Sequence, residues 1–293
     1  MICGSLTSNQ DGCGFISPHK RRYRNVEIHQ YMLDSLKEFH ELCEQYDLKY
    51  CLAGGTMLGA IRHNGFIPWD DDVDVVMPRV HYEKLKTIQN AISSPFELKV
   101  PCNSKGYIYP FLKFVNNECI VEEEFEESHV CGVWIDIFPL DVEPKGKLSA
   151  SIILSLINFL RKVKILKFKS YKKVEKNSVK AIVLKFCSLV CMLLPDFLVQ
   201  KSIETFAQLR NESGNNSNLL INYYGAYGKR DVAEYSIFNE RKLYHFEGLE
   251  LFGPGNYDSY LSHIYGDYMK LPPKEKRKGH HFSKIVFKDN NRV

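Results

Sequence analysis

An acidic cluster that runs directly into an apolar strand constrains the fold of this chain more than any other feature. The stretch DDDVDVVMP (70–78) alternates carboxylates with valines before it becomes wholly apolar. Side chains alternate between the two faces of a strand, so Asp72 and Asp74 point to one side while Val73 and Val75 point into the core. Two carboxylates on an apolar strand repel each other and resist removal from water unless a cation compensates them. The pattern therefore predicts a metal site at the mouth of a sheet.

A glycine pair precedes this cluster. The tripeptide GGT (54–56) follows a predicted buried strand at 48–53 and precedes a predicted short helix at 57–62, with Thr56 as its N-cap. Glycine lets the backbone approach a phosphate closely, and a helix N-terminus offers free N–H groups to an anion. The alternative is a tight turn followed by a solvated acidic loop, which leaves the apolar run Val73–Met77 unexplained.

Composition narrows the class of protein. The chain has 293 residues, 44% hydrophobic and 25% charged, which suits a globular protein with one large core or two modest domains. The net charge of +4 does not indicate a nucleic-acid partner. Nine irregularly spaced cysteines favour reduced thiols and a cytoplasmic location. We expect neither a secretory signal nor a spanning helix, which needs about 18 uncharged apolar residues.

The rest of the chain reads as alternating helices and strands. Apolar residues recur at helical spacing from Ile28 to Cys43, and a second helix is predicted after Pro78. Further strands are predicted at 96–100, 110–115, 118–122 and 132–141, the last closed by Pro139. The predicted division of the chain has four parts: an irregular lead-in at 1–25, a catalytic core at 26–144, a helical insert at 145–210 and a C-terminal segment at 211–293 that completes the core.

The insert has an unusual charge. Residues 145–188 contain twelve Lys or Arg and a single acid, Glu175, between strongly apolar stretches. Two basic amphipathic helices of this kind are typical of a membrane-surface element. In such an element, four lysines would face anionic lipid: Lys162, Lys164, Lys167 and Lys169. An ordinary helical subdomain with its apolar faces packed inward is the alternative, and both remain open.

Three segments of this sequence resemble the LicD family, and more distantly fukutin and fukutin-related protein. They are GGTMLGAIRHNGFIPWDDDVDVVMPR (54–79), GVWIDIFPLD (132–141) and YLSHIYGDYMKLPP (260–273). The resemblance spans roughly residues 26–145 and 256–281. It implies an α/β (α+β) fold of the nucleotidyltransferase-like, polymerase-β-like kind, with a mixed sheet, the glycine pair after the first strand and the aspartates on the next.

The resemblance also implies an activity. It points to transfer of a substituted phosphate, typically phosphocholine from CDP-choline, to a hydroxyl of a glycan that is lipid-linked, with release of CMP. Mg²⁺ or Mn²⁺ would be the cofactor. The cysteines and the basic insert, taken from the residues themselves, favour a location in the cytoplasm or peripherally at the inner face of the membrane. A metal-dependent nucleotide-sugar glycosyltransferase and a non-catalytic partner in glycan assembly are the rival readings.

Site residues follow from the motifs and the resemblance together. Polymerase-β-like folds usually carry a third carboxylate on a neighbouring strand, and Asp136 is its candidate, with a buried structural aspartate as the alternative. The predicted catalytic and metal-binding residues are Asp72, Asp74 and Asp136, with Asp70 as a further metal ligand. The predicted substrate-binding residues are Gly54, Gly55, Thr56, Arg62, His63, Trp69 and Lys113.

Several of these have a second interpretation. Arg62 could pair with Asp70 or Asp71, and Lys113 could extend to water. Trp69 and Trp134 could line a site for a base or a quaternary ammonium, or could simply pack. Asp141 is expected in a turn, and His280 and His281 in a frayed basic tail.

Overall fold

A computed structural model describes most of the chain, at residues 21–104, 107–123, 130–143, 147–168, 179–209, 218–277 and 282–287. Lys169, His280 and His281 lie outside these ranges, so the predictions made for them are not tested here.

Helices make up much of the described chain. The α-helices are α1 Arg21–Gln45, α2 Gly54–His63, α3 Arg79–Thr87, α4 Lys147–Phe168, α5 Val179–Met192, α6 Asp196–Gln208, α7 Tyr235–Asn239 and α8 Tyr257–Tyr265. Short 3₁₀ turns occur at Gln89–Ala91, Gly228–Asp231 and Lys274–Lys276. α1 confirms the helix predicted from Ile28 and begins earlier, within the segment expected to be irregular.

The strands are β1 Cys51–Leu52, β2 Asp74–Pro78, β3 Phe96–Lys99, β4 Leu112–Glu123, β5 Val130–Val142, β6 Leu219–Ile221, β7 Val232–Glu234, β8 Lys242–Phe246, β9 Leu249–Gly253 and β10 Phe282–Phe287. Eight of them form one mixed sheet with the order β1-β2-β5-β4-β10, in which β3 pairs with β4, β6 with β5, and β7 with β6. β2 and β5 are parallel, and the other pairs are antiparallel. The predicted mixed class of helices and strands is confirmed.

α1 covers the centre of this sheet. It packs across β4 and β5, with Leu36 and Phe39 fully buried. The Phe39 ring lies 5.8 Å from the Phe114 ring of β4, measured between centroids. The helical stripe read from the sequence is thus the face that packs on the sheet.

Some strand boundaries differ from the prediction. The two strands expected at 110–115 and 118–122 are one strand, β4, with a register shift between Asn116 and Ile120. β10 and the β8–β9 hairpin were not predicted. β10 is bulged, and its place in the sheet depends on β4, which is distant in the sequence. β8 and β9 pair only with each other, in a separate two-stranded sheet.

Pro139 lies inside β5 and does not end it. Along a strand, successive backbone nitrogens point to opposite sides, and the Asp136 N–H donates to the Val73 carbonyl, 2.8 Å away, on the β2 side. The nitrogen of Pro139 therefore points to the other side, where pairing with β4 stops at Ile137 and pairing with β6 begins at Asp141. Because no ladder hydrogen bond is needed from this nitrogen, proline is tolerated in a central strand.

The two helices predicted within 145–188 are confirmed as α4 and α5, and a third helix, α6, completes the insert. Lys164 is fully buried; its Nζ donates to Gln200 Oε1 at 2.8 Å and lies 3.6 Å from Asp196 Oδ2. Lys167 Nζ donates to the carbonyl of Leu194 at 2.6 Å. The prediction that these two lysines face lipid is therefore wrong: their ammonium groups hold the α5–α6 junction against α4.

No single helix in the described ranges is long and apolar enough to cross a membrane. One pair of segments meets the length and composition criteria when taken together, Phe186–Met192 and Asp196–Gln208, and it is bent by 85°.

Asp141 is not a turn residue. It continues β5 and is fully buried, where its carboxylate binds the nearly buried guanidinium of Arg79. Arg79 Nε donates to Asp141 Oδ1 at 2.8 Å, and Nη2 donates to Oδ2. Burial alone would lower the pKa of Arg79, but the hydrogen bonds and charge of Asp141 raise it above its ordinary value. This ion pair fixes the start of α3 against the end of β5.

We predict that Asp141→Ala lowers the free energy of unfolding by about 3–5 kcal/mol, because it leaves a buried guanidinium without its main partner. Denaturant unfolding measures the change. The control is Glu41→Ala, which removes an exposed ion pair with Lys37 and is expected to change stability by about 0–1 kcal/mol. Equal losses in the two variants would contradict the structural role given to Asp141.

Candidate active site

The parallel pairing of β2 with β5 brings two acidic residues side by side. Asp74 and Asp136 are register partners in this ladder, and neighbouring strands lie about 4.8 Å apart. Asp74 begins β2, and Asp136 lies within β5, far along the sequence. The sheet thus joins the DDDVDV cluster to the later VWIDIF segment, as the sequence predicted for a third carboxylate.

Asp72 completes the group. It precedes β2 by two residues and points to the same side as Asp74, while Val73 and Val75 are fully buried on the other. Asp72, Asp74 and Asp136 all line one cavity of about 410 Å³. The alternation read from the sequence therefore holds in the structure: the valines anchor the strand in the core and the carboxylates face an open cavity.

The glycine pair lets these carboxylates lie close to the start of α2. A Cβ atom at Gly54, whose φ is +51°, would lie 2.9 Å from Asp74 Oδ2, and one at Gly55 would lie 2.6 Å from Asp70 Oδ2. Any larger residue would push the two aspartates away. The N-terminal end of a helix carries a partial positive charge, so this close approach stabilises the carboxylates.

Thr56 does not cap α2, because the helix begins two residues earlier, after Ala53. Its buried hydroxyl accepts a hydrogen bond from the Asp74 N–H at 2.8 Å and so holds the start of β2 against the helix. The Gly54 N–H donates to the Tyr260 hydroxyl at 3.0 Å, which ties α8 to the same corner. Of the GGT tripeptide, Gly54 lines the cavity.

The negative charge around Asp74 is poorly compensated. Burial, followed by the charges of Asp72, Asp136 and Asp70, raises the pKa of Asp74 well above its ordinary value, and Lys113 opposes the shift. A proton or a metal ion bound to Asp74 would remove this repulsion. The site therefore favours binding of a cation.

Lys113 is the ammonium closest to this group. It is a register partner of Asp136 across β4 and β5, and its Nζ lies 2.9 Å from Asp136 Oδ1. It is buried, with its Nζ 3.8 Å from the centroid of the Trp134 ring and 4.0 Å from that of Tyr109. Lys113 therefore does not extend to water, and it covers the face of Trp134, which is itself buried.

The remaining predicted residues gather at the other end of α2. Arg62 Nη1 donates to the carbonyl of Tyr268 at 2.8 Å. The guanidinium of Arg277 lies 5.0 Å from the centroid of the Trp69 ring, and the His63 ring packs against Trp69 in a T-shaped arrangement. The described lining of the cavity does not include Arg62, His63 or Trp69. Their assignment to substrate binding thus stays a prediction without support from the cavity.

Other cavity residues escaped the sequence analysis. Arg161 comes from α4, in the insert, and its Nη1 donates to the Tyr223 carbonyl at the long distance of 3.4 Å. Asp231 accepts a hydrogen bond from the Tyr227 N–H at 2.8 Å, and burial raises the pKa of Asp231 to about 6. Aromatic side chains form much of the wall: Tyr109, Phe111, Phe138, Tyr224, Tyr227 and Tyr260. No local motif marks them, because folding brings them together from separate segments.

A divalent cation is the cofactor that these residues suit chemically. Within the described ranges, no three His, Cys, Asp or Glu side chains form a ready metal-binding group; Asp136 is paired with Lys113 instead. Even so, Asp72, Asp74 and Asp136 offer only oxygen ligands around an excess of negative charge. Hard cations such as Mg²⁺ prefer this donor set.

Comparison with known proteins identifies the family of this chain. Residues 47–155 match the LicD/FKTN/FKRP nucleotidyltransferase domain, a segment that contains β1, α2, β2 and β5. A lipopolysaccharide cholinephosphotransferase, LicD of Haemophilus influenzae, is 32% identical over 259 residues, which cover 85% of this chain and 92% of that protein. Two uncharacterized rickettsial proteins match shorter stretches: one from Rickettsia typhi is 39% identical over 69 residues, 22% of each chain. The other, from Rickettsia prowazekii, is 50% identical over 40 residues, 14% of this chain and 15% of that protein.

The relative from Haemophilus matches nearly end to end, and the family domain covers the strands that carry the three aspartates. This protein therefore belongs to the LicD family.

Proposed function

We propose that this protein transfers a substituted phosphate, phosphocholine or a close analogue, from a CDP-activated donor to a hydroxyl of a cell-surface glycan, with release of CMP. The observation that carries the proposal is the placement of Asp72, Asp74 and Asp136 on one cavity wall. They lie in a chain 32% identical to a lipopolysaccharide cholinephosphotransferase. Phosphoryl transfer needs this concentration of carboxylates to gather cations around phosphate oxygens.

Mg²⁺ or Mn²⁺ would be held by Asp72, Asp74 and Asp136, with Asp70 beside them at the start of α2. When bound, such an ion neutralises charge on the transferred phosphate. The protein itself contributes the rigid frame: the Thr56 hydroxyl and the Asp136 N–H fix the ends of the two strands. Carboxylates held by packed strands do not have to reorganise as the reaction proceeds.

Arg161 is suited to hold the donor phosphates. It is the cation among the described residues that line the cavity, and its hydrogen bonds to the Tyr223 carbonyl and Asn158 Oδ1 are both 3.4 Å. Burial lowers the pKa of Arg161, and the charges of Tyr224 and Asp231 only partly oppose this shift, so the cost of burying the guanidinium charge is not fully offset. A guanidinium in this condition gains from a phosphate, to which it can donate two parallel hydrogen bonds.

The aromatic wall is suited to the donor's substituent. Phe111 and Phe138 pack against each other, with ring centroids 4.6 Å apart, and Tyr109 and Tyr227 line the same cavity. A quaternary ammonium binds aromatic faces, whereas a polyol such as ribitol would leave hydroxyls without partners there. Unlike Trp69 and Trp134, these side chains are among the described residues that line the cavity, and they support choline as the alcohol.

Asp136 has a second proposed task, to accept the proton of the acceptor hydroxyl. Lys113 holds its carboxylate by the 2.9 Å ion pair and is a positioning residue for it. A base held in this way faces the cavity in a fixed orientation and can act on a hydroxyl that enters beside the phosphate.

The direct test of the function is turnover of CDP-choline. With Mg²⁺ and a pool of lipid-linked glycans, we expect CMP and a phosphodiester product in equal amounts. Asp72→Asn and Asp74→Asn are each expected to reduce CMP release by about a hundredfold or more, because each removes a charge at the transferred phosphate. The control is Asp47→Asn, an exposed aspartate at φ +48° where asparagine is equally tolerated.

Three outcomes would reject this assignment. They are full activity in either cavity variant, an equal loss in Asp47→Asn, and a glycosidic product without a phosphodiester. A parallel panel of CDP-ethanolamine, CDP-ribitol and CDP-glycerol identifies the alcohol, and we expect CDP-choline to give the highest kcat/KM.

Asp136→Asn is predicted to lower kcat by about 10²–10⁴-fold and to retain donor binding, measured by calorimetry. It also leaves Lys113 buried without its charge partner, so the melting temperature should fall. The double variant Asp136→Asn/Lys113→Met removes that unpaired ammonium and should recover stability without recovering turnover. If Asp136→Asn lowers only the melting temperature and keeps kcat, Asp136 is structural.

Arg161→Gln is predicted to raise the Kd for CDP-choline about tenfold or more, because it removes a charged donor to phosphate. Calorimetry without an acceptor measures this directly. Lys162→Gln is the matched control: it removes the same charge from the next residue of α4, whose side chain is exposed. Equal weakening in both variants would show a general effect of charge and would remove Arg161 from the phosphate site.

A further inference from the structure

Apolar side chains are exposed together around the junction of α5 and α6. Between 47% and 82% of each is exposed, Leu193 being the extreme. We call this set the apolar face: Phe186, Leu189, Val190, Met192, Leu193, Leu194, Phe197 and Leu198. Single exposed apolar residues are ordinary on a soluble protein, but a contiguous group marks an interaction surface.

The helix α6, which carries part of this face, already buries its other side. Val199, Ile203 and Ala207 of α6 are buried in a second core, together with Ile157 and Val163 of α4. An ordinary helical subdomain would turn its apolar residues toward that core and present polar ones outward. α6 is apolar on both sides, and within the described ranges its outward apolar residues stay exposed.

The apolar face lies close to the catalytic cavity. Lys167 Nζ donates to the carbonyl of Leu194, within the face, and Lys164 approaches Asp196 just beyond it. Arg161 and Ile165, which line the cavity, lie on the same stretch of α4, and the Ile165 side chain is itself exposed. One or two turns of helix therefore separate the residues that face the proposed donor from those that hold the apolar face.

We propose that the apolar face docks the enzyme on a lipid bilayer that carries anionic head groups. Charge favours this occupant: residues 145–188 contain twelve Lys or Arg and one acid, and Lys162 of α4 and Lys201 of α6 are both exposed. An apolar helical surface beside basic residues inserts its side chains at the level of the head groups while its cations bind them. The buried side of α6 keeps the helix in the second core, so the contact is peripheral.

This docking does not depend on the reaction that the cavity catalyses, and it would bring the mouth of the cavity to acceptors carried on lipids. It also differs from attraction by lysines alone, since two of the four lysines first considered are buried or bonded within the insert. The exposed leucines and phenylalanines supply the insertion, and the remaining basic residues supply the preference for anionic lipid.

Sedimentation with vesicles tests the proposal on the full chain. Vesicles of phosphatidylcholine alone are compared with vesicles that also contain phosphatidylglycerol, at low and high salt. We expect binding to the anionic vesicles that weakens with salt. The variant Leu193→Asn/Phe197→Asn should bind them about tenfold more weakly or worse. Both replaced side chains are already exposed, so its melting temperature should match that of the wild type.

The matched control is Val80→Asn/Leu243→Asn, which replaces two exposed apolar residues of α3 and β8 and should bind vesicles like the wild type. Equal sedimentation with both vesicle types, sedimentation with neither, or an equal loss in the control pair would overturn the proposal. So would a wild-type dimer in light scattering that becomes monomeric in Leu193→Asn/Phe197→Asn without any vesicle binding, because a second copy would then cover the face.

Discussion

The parallel pairing of β2 with β5 is the constraint on which the site depends. It sets Asp74 beside Asp136, an arrangement that is electrostatically unfavourable and that raises the pKa of Asp74. Three features offset the repulsion: the N-terminus of α2 close to Asp74, the ion pair of Lys113 with Asp136, and the burial of Val73 and Val75 beneath. The strands are held by their apolar sides, so the carboxylates stay together although they repel one another.

The helical insert is part of the site and not only an attachment to it. α4 contributes Arg161 to the cavity, and its next turns carry the lysines that hold α5 and α6. Buried ammonium groups need partners. Lys164 and Lys167 find theirs in Gln200 and the Leu194 carbonyl, so these two basic residues of α4 can pack against α6 and the α5–α6 junction. The same arrangement leaves the apolar face outside. In this family member, the segment with the least motif content thus lies between the candidate site and the apolar face.

Much of the fold and part of the site could be predicted from local pattern. The period of α1, the alternation along β2 and the group Asp72, Asp74 and Asp136 all follow from spacing or from motif resemblance, and the structure brings those aspartates together. Predictions that depended on a boundary or a distant partner failed. Asp141 was expected in a turn because Pro139 seemed to end β5. The strand nevertheless continues, because the Pro139 nitrogen, which has no hydrogen to donate, lies between the end of the pairing with β4 and the start of the pairing with β6.

The sequence by itself determined the period of α1, the face on which the aspartates lie and the glycines beside them, because these depend on residues within one or two turns or strand steps. Only the tertiary structure decided what each charge contacts. Lys113 meets Asp136 and Trp134, and Arg161 reaches the cavity, through pairings between segments far apart in the chain. Which side chains are buried and which cations are paired depends on strand register and helix docking, and neither is encoded in any single stretch of residues.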